Sequence, residues 1–486
     1  MNYKMMSRFE AWILAIEAVF MLPAFFISLF SGADKATLAF AMSIGILAVV
    51  AGLFALASIG AREGFYAREG LICVSAGWIL MSLFGCLPFW LSGEIPRFID
   101  ALFEIVSGFT TTGASILSDV ESLSNGILYW RSFSHWLGGM GVLVFLLAIV
   151  PSGGRKEGFT MHLLRAESPG VEVEKLVPKS NRTARILYGI YFFMTVLQLV
   201  LLLLGDMPFF DAVTITFGTA GTGGFAILNS SIASYSVYVQ VVVTVFMVLF
   251  GVNFNLYFLL LCKKFRDVFR SEELRAYLSI FAFAVIIVTV NIFTSGVYSD
   301  FGQSLQQSAF QVASVMTTTG FATTDFNYFP ELSKSILVLL MIIGACAGST
   351  GGGIKVSRLI ILLKSFKKEV RKLFHPRSVT VIKLEGKPID VSLSHSTVTY
   401  FMMYMVIMIV SCIAISVDNF DFTTNVTAVI ACFNNIGPGL NVVGPMGNFS
   451  GYSVFSKLVL SFDMLFGRLE ILPVLILFTP RTWKRT

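Results

Sequence analysis

Residues 100–113 read DALFEIVSGFTTTG, and three later stretches follow the same plan. They are DAVTITFGTAGTGG at 211–224, QSAFQVASVMTTTG at 307–320 and TNVTAVIACFNNIG at 424–437. Each begins with a polar residue, continues as an apolar run compatible with a helix, and ends in Gly thirteen positions later. The runs are too short to cross a bilayer, which takes about 20 residues. We therefore predict four half-helices, each followed by a glycine turn.

The composition indicates that the bilayer is the solvent for most of this chain. Of its 486 residues, 56% are hydrophobic and 13% are charged, whereas a soluble protein carries roughly 25% charge. The six Cys and four His are dispersed, so they predict neither a disulfide framework nor a metal centre, and no covalently bound cofactor is expected. The formal charge of +6 does not call for nucleic acid, because in a membrane protein the side that carries the charge matters more than its sum.

Ten segments are apolar and long enough to be predicted spans. They are 11–30, 38–60, 70–92, 127–150, 184–205, 235–262, 276–297, 334–363, 397–417 and 452–479. Ten spans place the basic segments 151–185, 263–275 and 364–387 and both termini on one side, and the acidic loops on the other. By the positive-inside rule the basic side faces the cytoplasm. We therefore predict a multi-pass protein with both termini cytoplasmic.

Repeats and spans together predict the fold class. It is an all-α polytopic membrane protein in which a span, a half-helix with a re-entrant turn and a second span form a unit. Four units with pseudo-fourfold symmetry follow an N-terminal pair of helices. The predicted boundaries are 1–66 for the pair, 67–155, 156–262 and 263–375 for the first three repeats, and 376–486 for the fourth.

The glycine turns predict a pathway for a cation. Non-helical backbone at membrane depth has to be buried in protein or line an aqueous cavity. Four turns that enter from one face can converge on one axis, and Gly allows φ values that a Cβ forbids, so that successive carbonyls can face that axis. The C-terminal ends of the half-helices also favour a cation. A ring of carbonyls that replaces the hydration shell is how potassium-selective filters work.

The turn residues of the four repeats are the candidates for this filter. They are Thr111, Thr112 and Gly113; Thr222, Gly223 and Gly224; Thr318, Thr319 and Gly320; and Asn435, Ile436 and Gly437. In the second turn Gly223 and Gly224 compete, and the thirteen-residue register favours Gly224. The fourth turn, NNIGPG, departs from the Thr-rich pattern. Glu104 is predicted to brace the filter, with attraction of cations as the alternative, and Asp100 and Asp211 are predicted to cap half-helices.

The eighth span, LLMIIGACAGSTGGGIKVSRLIILL, is predicted to be broken. Residues 344–353 contain five Gly, and each Gly costs about 1 kcal/mol in a helix interior. The functional interpretation is a loop that plugs the pore below the filter, and the alternative is close helix packing. The spacing does not fit a phosphate-binding loop. The gate candidates here are Gly344, Gly348, Ser349, Thr350, Gly351, Gly352, Gly353 and Lys355.

Arg468 lies near the centre of the tenth span, where an ionisable side chain should face a partner or water. Its candidate partners are Asp463, Glu470, Glu104 and the carbonyls of residues 344–353. One hypothesis is that Arg468 holds the loop by hydrogen bonds and repels cations when the gate is shut. The alternative is a structural ion pair with a neighbouring acid.

The turns, the repeat unit and the extra N-terminal pair resemble the Trk/Ktr/HKT superfamily of cation transporters, most closely its bacterial TrkH/TrkG branch. The resemblance covers essentially the whole chain, and Gly at all four key places is similar to the K⁺-conducting members. It implies K⁺ ions in the filter, held at Thr112, Gly113, Gly223, Gly224, Thr319, Gly320, Ile436 and Gly437. It also implies the bacterial inner (plasma) membrane, a homodimer, and a cytosolic nucleotide-binding partner of the TrkA type.

The predicted function is potassium uptake by channel-like conduction, with Rb⁺ also passing and Na⁺ passing less well. A sodium- or proton-coupled K⁺ symporter and a Na⁺-selective transporter are alternatives within the same family. A coupled solute carrier is an alternative of another class, although inverted rather than fourfold repeats are typical of it. An enzyme is not expected, because no catalytic set stands at membrane depth. The basic segment 364–395 is expected to meet a docking partner or anionic lipid headgroups.

Overall fold

The computed structural model describes residues 1–61, 67–139, 141, 180–377 and 381–480. These residues form helices joined by short connections, with a single two-stranded hairpin among them. The end of the predicted span 127–150 and most of the basic segment 151–185 lie outside the described residues. The predicted all-α membrane architecture is confirmed. The five predicted domain boundaries stay predictions.

Six helical segments in the described residues are long and apolar enough to cross a membrane. They correspond to the first, second, third, fifth, seventh and ninth predicted spans. They are α1 (Tyr3–Phe30), α2 (Asp34–Ala57), α3 with α4 (Ala67–Gly85 and Leu87–Leu91), α7 (Ser180–Leu203), α12 (Glu272–Thr294) and α16 (Val391–Ile415). The fourth predicted span is described only in part, as α6 (Asn125–Gly139).

Four shorter helices occupy the positions of the predicted half-helices. They are α5 (Phe98–Phe109), α8 (Phe209–Ala220), α13 (Phe301–Met316) and α17 (Phe422–Phe433). The third helix begins six residues before the aligned stretch does, since Asp300 caps it by accepting a hydrogen bond from the Gln303 N–H. Each of the four is largely buried, as a helix surrounded by spans must be.

The sixth span is not continuous, and the prediction of one helix over 235–262 is wrong. It consists of α9 (Val237–Phe250) and α10 (Phe254–Leu261), which meet at 90°. The short helix α11 (Phe265–Arg270) follows. Asn253 starts the second helix by accepting a hydrogen bond from the Asn255 N–H. The Phe254 N–H donates to the Gly348 carbonyl (3.0 Å), and the Gly251 carbonyl accepts from Cys346 (3.1 Å), so a neighbouring chain segment takes over the backbone bonds of the break.

The eighth and tenth spans are also interrupted. The eighth consists of α14 (Glu331–Ile343) and α15 (Val356–Phe374), separated as predicted by an irregular segment, residues 344–355, which we term the intramembrane loop. The tenth, predicted as one helix over 452–479, consists of α18 (Val454–Leu469) and α19 (Leu472–Phe478). Glu470 and Ile471 separate them with positive φ angles of 61° and 62°, a conformation that a β-branched residue adopts only when its surroundings enforce it.

The half-helices and the second spans pack in a closed cycle. Helix α5 contacts α6 and α18, α8 contacts α6 and α9, α13 contacts α9 and α14, and α17 contacts α14 and α18. Each half-helix therefore lies between the second span of its own repeat and that of the preceding repeat, and the fourth repeat meets the first. Helices α1 and α2 pack on each other outside this cycle, with α1 against α3 and α6.

A small hairpin lies on the basic side, between α15 and α16. Its strands are β1 (Lys383–Leu384) and β2 (Lys387–Pro388), paired antiparallel. The two connecting residues, Glu385 and Gly386, have φ angles of 50° and 76°, which is the sign pattern of a two-residue type I′ turn. The basic segment 364–395 thus contains a hairpin.

Candidate functional site

The four turns that follow the half-helices share one backbone conformation. The residue two before the final glycine is left-handed in every turn, with φ angles of 56°, 54°, 59° and 56° at Thr111, Thr222, Thr318 and Asn435. The final glycines also have positive φ angles, of 79°, 75°, 86° and 94° at Gly113, Gly224, Gly320 and Gly437. Four segments far apart in the chain thus adopt the same local form.

The same hydrogen bond ties each turn to its half-helix. The residue before the final glycine donates its N–H to the carbonyl five residues earlier, at 2.8, 2.8, 2.8 and 2.9 Å. The donor and acceptor pairs are Thr112 with Ser107, Gly223 with Gly218, Thr319 with Ser314, and Ile436 with Ala431. These bonds satisfy carbonyls that a helix end leaves free and fix the direction in which the chain leaves the helix.

The four turns meet one another in a ring. A Cβ at Gly113 would lie 2.0 Å from the Gly223 carbonyl oxygen, and one at Gly224 would lie 2.0 Å from that of Thr319. A Cβ at Gly320 would lie 2.1 Å from the Ile436 carbonyl oxygen, and one at Gly437 would lie 2.8 Å from that of Thr112. Each final glycine thus packs on the residue before the final glycine of the next turn, and the fourth turn closes on the first. The contact, as well as the φ angle, leaves no room for a side chain.

Backbone conformation shows which glycine of the second turn corresponds to the final glycines of the other three turns. Gly224, not Gly223, has the positive φ and the packing of the other final glycines, which agrees with the thirteen-residue register. Gly223 is glycine for a different reason, because its Cβ would lie 2.1 Å from the His135 Nδ1. The His135 ring is buried behind this turn, where its Nε2 accepts from the Phe225 N–H (3.2 Å).

Side chains brace the turns from behind. The Asn435 amide donates to the Thr112 hydroxyl and to the Met464 carbonyl, both at 2.9 Å, and so links the fourth turn to the first. In the two TTTG turns, the hydroxyls of Thr110 and Thr112 and those of Thr317 and Thr319 are hydrogen-bonded at 2.8 and 2.7 Å. These hydroxyls therefore hold the turns in shape.

Glu104 is buried and lies behind the first turn. Its carboxylate forms an ion pair with Arg131 (2.6 Å) and accepts from the Ser115 hydroxyl (2.9 Å) and the Ile116 N–H (3.0 Å). Glu104 thus holds residues 115 and 116, which follow Gly113, and it lies where a residue that braces the first turn was predicted. The Arg131 guanidinium also lies 3.6 Å above the Phe225 ring and donates to the Ala226 carbonyl (2.8 Å), so that it joins the first and second turns.

The sequence reasoning passed over Arg131 and His135. Both stand in the segment RSFSHW of α6, inside an apolar stretch. Charged or titratable residues at that depth are themselves a signal, and the same argument that singled out Arg468 would have found them. Asp100 and Asp211 lie in first turns of their half-helices rather than at the cap positions. Asp100 pairs with Lys457 (2.6 Å), and Asp211 accepts from the Tyr235 hydroxyl (2.8 Å).

The intramembrane loop lies directly against the third and fourth turns. The Gly352 N–H donates to the Thr318 hydroxyl (2.6 Å), and the Gly353 N–H donates to the Asn434 carbonyl (3.2 Å). A Cβ at Gly352 would lie 2.2 Å from that carbonyl oxygen. The Thr350 hydroxyl donates to the Phe250 carbonyl (3.2 Å), so the loop is also fixed to the broken sixth span. The glycines of the loop permit this close approach to the ring of turns.

Arg468 spans the gap between the loop and the first repeat. Its guanidinium donates to the Thr350 carbonyl (2.9 Å), to the Gly139 carbonyl (2.6 Å) and to the Thr111 hydroxyl (3.3 Å), and it also contacts the Gly138 carbonyl. Arg468 therefore contacts a carbonyl of the loop, which was one of its candidate partners.

The three acids considered for Arg468 have other partners. Glu470 pairs with Arg358, Asp463 accepts from the Ser411 hydroxyl (2.7 Å), and Glu104 pairs with Arg131. Lys355, at the end of the loop, donates to the Gly351 carbonyl. Two cationic side chains therefore contact carbonyls of the loop: Arg468 contacts that of Thr350, and Lys355 contacts that of Gly351.

A mostly helical membrane protein in which four glycine turns meet in a ring beside a glycine-rich loop has the features of a transport protein. The chain belongs to the TrkH family of cation transport proteins, whose sequence profile matches residues 39–485. The resemblance to the TrkH/TrkG branch is thus confirmed. The relatives described below are named as uptake proteins and not as enzymes, in agreement with the expectation from the sequence.

Several relatives match over most of their length. The Trk system potassium uptake protein TrkH of Escherichia coli is 37% identical over 422 residues, which are 86% of each chain. The protein of the same name from Halomonas elongata is 32% identical over the full length of both chains. The crystal structure of the potassium transporter TrkH from Vibrio parahaemolyticus superposes with a TM-score of 0.89, at 29% identity and full coverage of both chains.

Proposed function

We propose that this protein takes up potassium ions across the bacterial inner (plasma) membrane, through a filter made of the four turns. The observation that carries the proposal is the closed ring, in which each final glycine packs on the backbone of the next turn. The relatives named above are potassium uptake proteins, and the proposal gives the same cargo to this chain. A ring of backbone carbonyls at membrane depth is suited to a dehydrated monovalent cation.

The proposed K⁺ ligands are backbone carbonyl oxygens of the two last residues of each turn. They belong to Thr112, Gly113, Gly223, Gly224, Thr319, Gly320, Ile436 and Gly437. The four half-helices end at this ring, and the negative end of each helix dipole lowers the energy of a cation there. The threonine hydroxyls bonded to one another hold the first and third turns in shape.

Channel-like conduction is favoured over a coupled carrier by the arrangement around the ring. The second spans and half-helices pack in a fourfold cycle, whereas an inverted twofold arrangement is typical of coupled carriers. The intramembrane loop contacts the third and fourth turns, and Arg468 contacts both the loop and the first turn. We propose that this loop, with Arg468 and Lys355, is the gate.

The proposed assembly follows from the family resemblance and the charge distribution. It is a homodimer with cytoplasmic termini, and its basic cytoplasmic segments meet anionic lipid and a nucleotide-binding subunit of the TrkA type. Exposed basic residues on α15, such as Lys367, support the sidedness. Size-exclusion chromatography with light scattering tests the dimer, and co-purification with the candidate subunit tests the partner.

Rubidium flux into proteoliposomes tests the proposed function. Gly320→Ala should abolish flux or cancel the preference over Na⁺, since its Cβ would strike the Ile436 carbonyl oxygen. Gly296→Ala is the matched control, because Gly296 has a similar positive φ (72°) with nothing within 4 Å of its Cβ. Equal flux through the two variants would refute the filter.

Ion competition and uncouplers separate the alternatives. Full inhibition of rubidium flux by excess Na⁺ would favour the Na⁺-selective alternative. Flux that requires a proton or sodium gradient would favour a symporter. Absence of any monovalent-cation flux through the folded wild-type protein would favour a solute carrier.

A further inference from the structure

Glu273 is a buried carboxylate at the base of the intramembrane loop. Its Oε1 accepts from the Ala347 N–H (2.7 Å) near the start of the loop and from the Ser357 N–H (3.1 Å) just after its end. The side chains of Asn253 and Ser357 also hydrogen-bond to this carboxylate. One oxygen atom therefore joins the two ends of the loop to each other and to the start of α12, which belongs to a different span.

Glu385, at the tip of the hairpin, caps the helix that carries Glu273. Its carboxylate accepts from the Glu272 N–H (2.8 Å), the Glu273 N–H (3.1 Å) and the Ser271 hydroxyl (2.9 Å). These N–H groups are among the four that a helix start leaves free, and a carboxylate at that end is favoured by the helix dipole. The position of the Glu273 backbone thus depends on the hairpin.

The hairpin is also joined to the helix that leaves the loop. Lys364 of α15 donates to the Lys383 carbonyl (2.7 Å) and pairs with Glu272. The buried side chains of Ile382 and Leu384 pack the hairpin onto the protein. The hairpin therefore connects α12 and α15, the same two helices that Glu273 connects one layer deeper.

We propose that Glu385 and Glu273 are positioning residues that hold the intramembrane loop in its closed place, and that movement of the hairpin is transmitted to the loop through them. The proposal rests on the gate put forward under the proposed function. Glu273 contacts neither the ring of turns nor Arg468 in these hydrogen bonds, so it acts on permeation through the two ends of the loop and through Asn253, at the break of the sixth span. Glu385 in turn acts only through the start of α12.

Rubidium flux into proteoliposomes is the first measurement. Glu273→Ala removes both hydrogen bonds at the base of the loop and should raise basal flux about tenfold, whereas Glu273→Gln keeps an acceptor oxygen and should stay near wild type. Glu385→Ala should raise flux about threefold, and the double alanine variant should match Glu273→Ala alone, because the two act in series. Glu369→Ala and Lys387→Ala, at exposed positions on α15 and the hairpin, are the controls.

Thiol accessibility is the second measurement and does not depend on the cargo. Ser349→Cys in the loop, with the exposed Cys262 replaced by Ser, should react faster with a water-soluble maleimide when Glu273→Ala or Glu385→Ala is present. Glu385 is half-buried and Glu273 is buried, so Glu385→Ala still tests the proposal if Glu273→Ala does not fold.

The two measurements separate this proposal from the proposed function. Unchanged flux and unchanged thiol reactivity in the folded alanine variants would overturn the relay, while a conducting wild type leaves the filter standing. Faster thiol reaction without rubidium flux in wild type or any variant would support the relay and overturn the proposed potassium pathway.

Discussion

Replacing Arg468 tests the gate most directly. The guanidinium joins the Thr350 carbonyl of the intramembrane loop to the Gly139 carbonyl and to the Thr111 hydroxyl of the first turn. Arg468→Ala therefore removes both a clamp on the loop and a positive charge close to the ring. We expect cation flux to rise.

The size of the rise follows from two contributions. A hydrogen bond from a charged donor is worth about 1.5–3 kcal/mol, and of the Arg468 hydrogen bonds described above, the one to the Thr350 carbonyl holds the loop. A charge about 5 Å from a permeating cation raises its energy by roughly 3 kcal/mol at an effective dielectric constant of about 20. The two contributions are of similar size, and water in the pore screens the second. We expect Arg468→Ala to increase flux by about 10- to 100-fold.

Two further variants separate the contributions. Arg468→Lys keeps the charge but cannot reach Thr350 and Gly139 together, because it lacks the planar fork of Arg. Arg468→Gln removes the charge and keeps one donor group. If repulsion dominates, the lysine variant stays near wild type and the glutamine variant conducts. If the clamp dominates, both variants conduct, because neither carries the guanidinium fork that joins the two carbonyls.

The assay is rubidium uptake into potassium-loaded proteoliposomes, with the melting temperature in detergent as the check on folding. The ratio of rubidium to sodium flux should change little, since no residue of the turns is replaced and the hydrogen bonds that tie each turn to its half-helix remain. Wild-type flux through a folded Arg468→Ala protein would refute the reasoning, because neither the clamp nor the charge could then limit permeation.

Three further predictions concern the surroundings of the turns. Gly223→Ala and Gly224→Ala should both abolish rubidium uptake. Adding His135→Ala should restore uptake to Gly223→Ala but not to Gly224→Ala, because only the Cβ at position 223 strikes the His135 ring. Rubidium uptake of the single and double variants measures this. Glu104→Gln should destabilise the protein by about 3 kcal/mol, because it leaves a buried arginine unpaired; thermal unfolding in detergent measures this. Hydrogen bonds from the Thr424 hydroxyl and, secondarily, its N–H hold the pKa of Asp421 below its usual value of 3.8. Asp421→Asn should therefore lower the melting temperature at neutral pH, and the difference from wild type should vanish as the pH falls through the lowered pKa.

Each of these predictions has an outcome that contradicts it. Rescue of both glycine variants by the histidine change would show that the second turn tolerates a Cβ at either position. An unchanged melting temperature of Glu104→Gln would show that the buried ion pair of Glu104 and Arg131 is not needed for stability. A constant difference between Asp421→Asn and wild type across the acidic range would show that the carboxylate acts in some way other than capping α17.

Sequence alone placed the half-helices and their turns. The length of each apolar run, the small polar residues after it and the final glycine are local properties, and helix length and allowed φ angles depend on them directly. The break in the eighth span was equally predictable, because five glycines within residues 344–353 oppose a helix whatever surrounds them.

The breaks in the sixth and tenth spans could not be predicted in the same way. Gly251 is a single glycine, which a membrane helix tolerates, and the bend there depends on the hydrogen bonds that residues 346 and 348 supply from another span. Ile471 would by itself favour a regular helix or strand conformation. Its positive φ depends on its packing in the completed fold.

The partners of the charged side chains were decided only by the tertiary structure. The sequence showed that Arg468, Glu470 and Glu104 need partners at membrane depth, but not that Glu470 pairs with Arg358 while Arg468 contacts carbonyls. Local residues set which backbone shapes a segment can take, because steric and hydrogen-bonding limits act within a few residues. Contacts between residues more than ninety positions apart depend on how the segments are assembled, and the ring of turns exists only as such contacts.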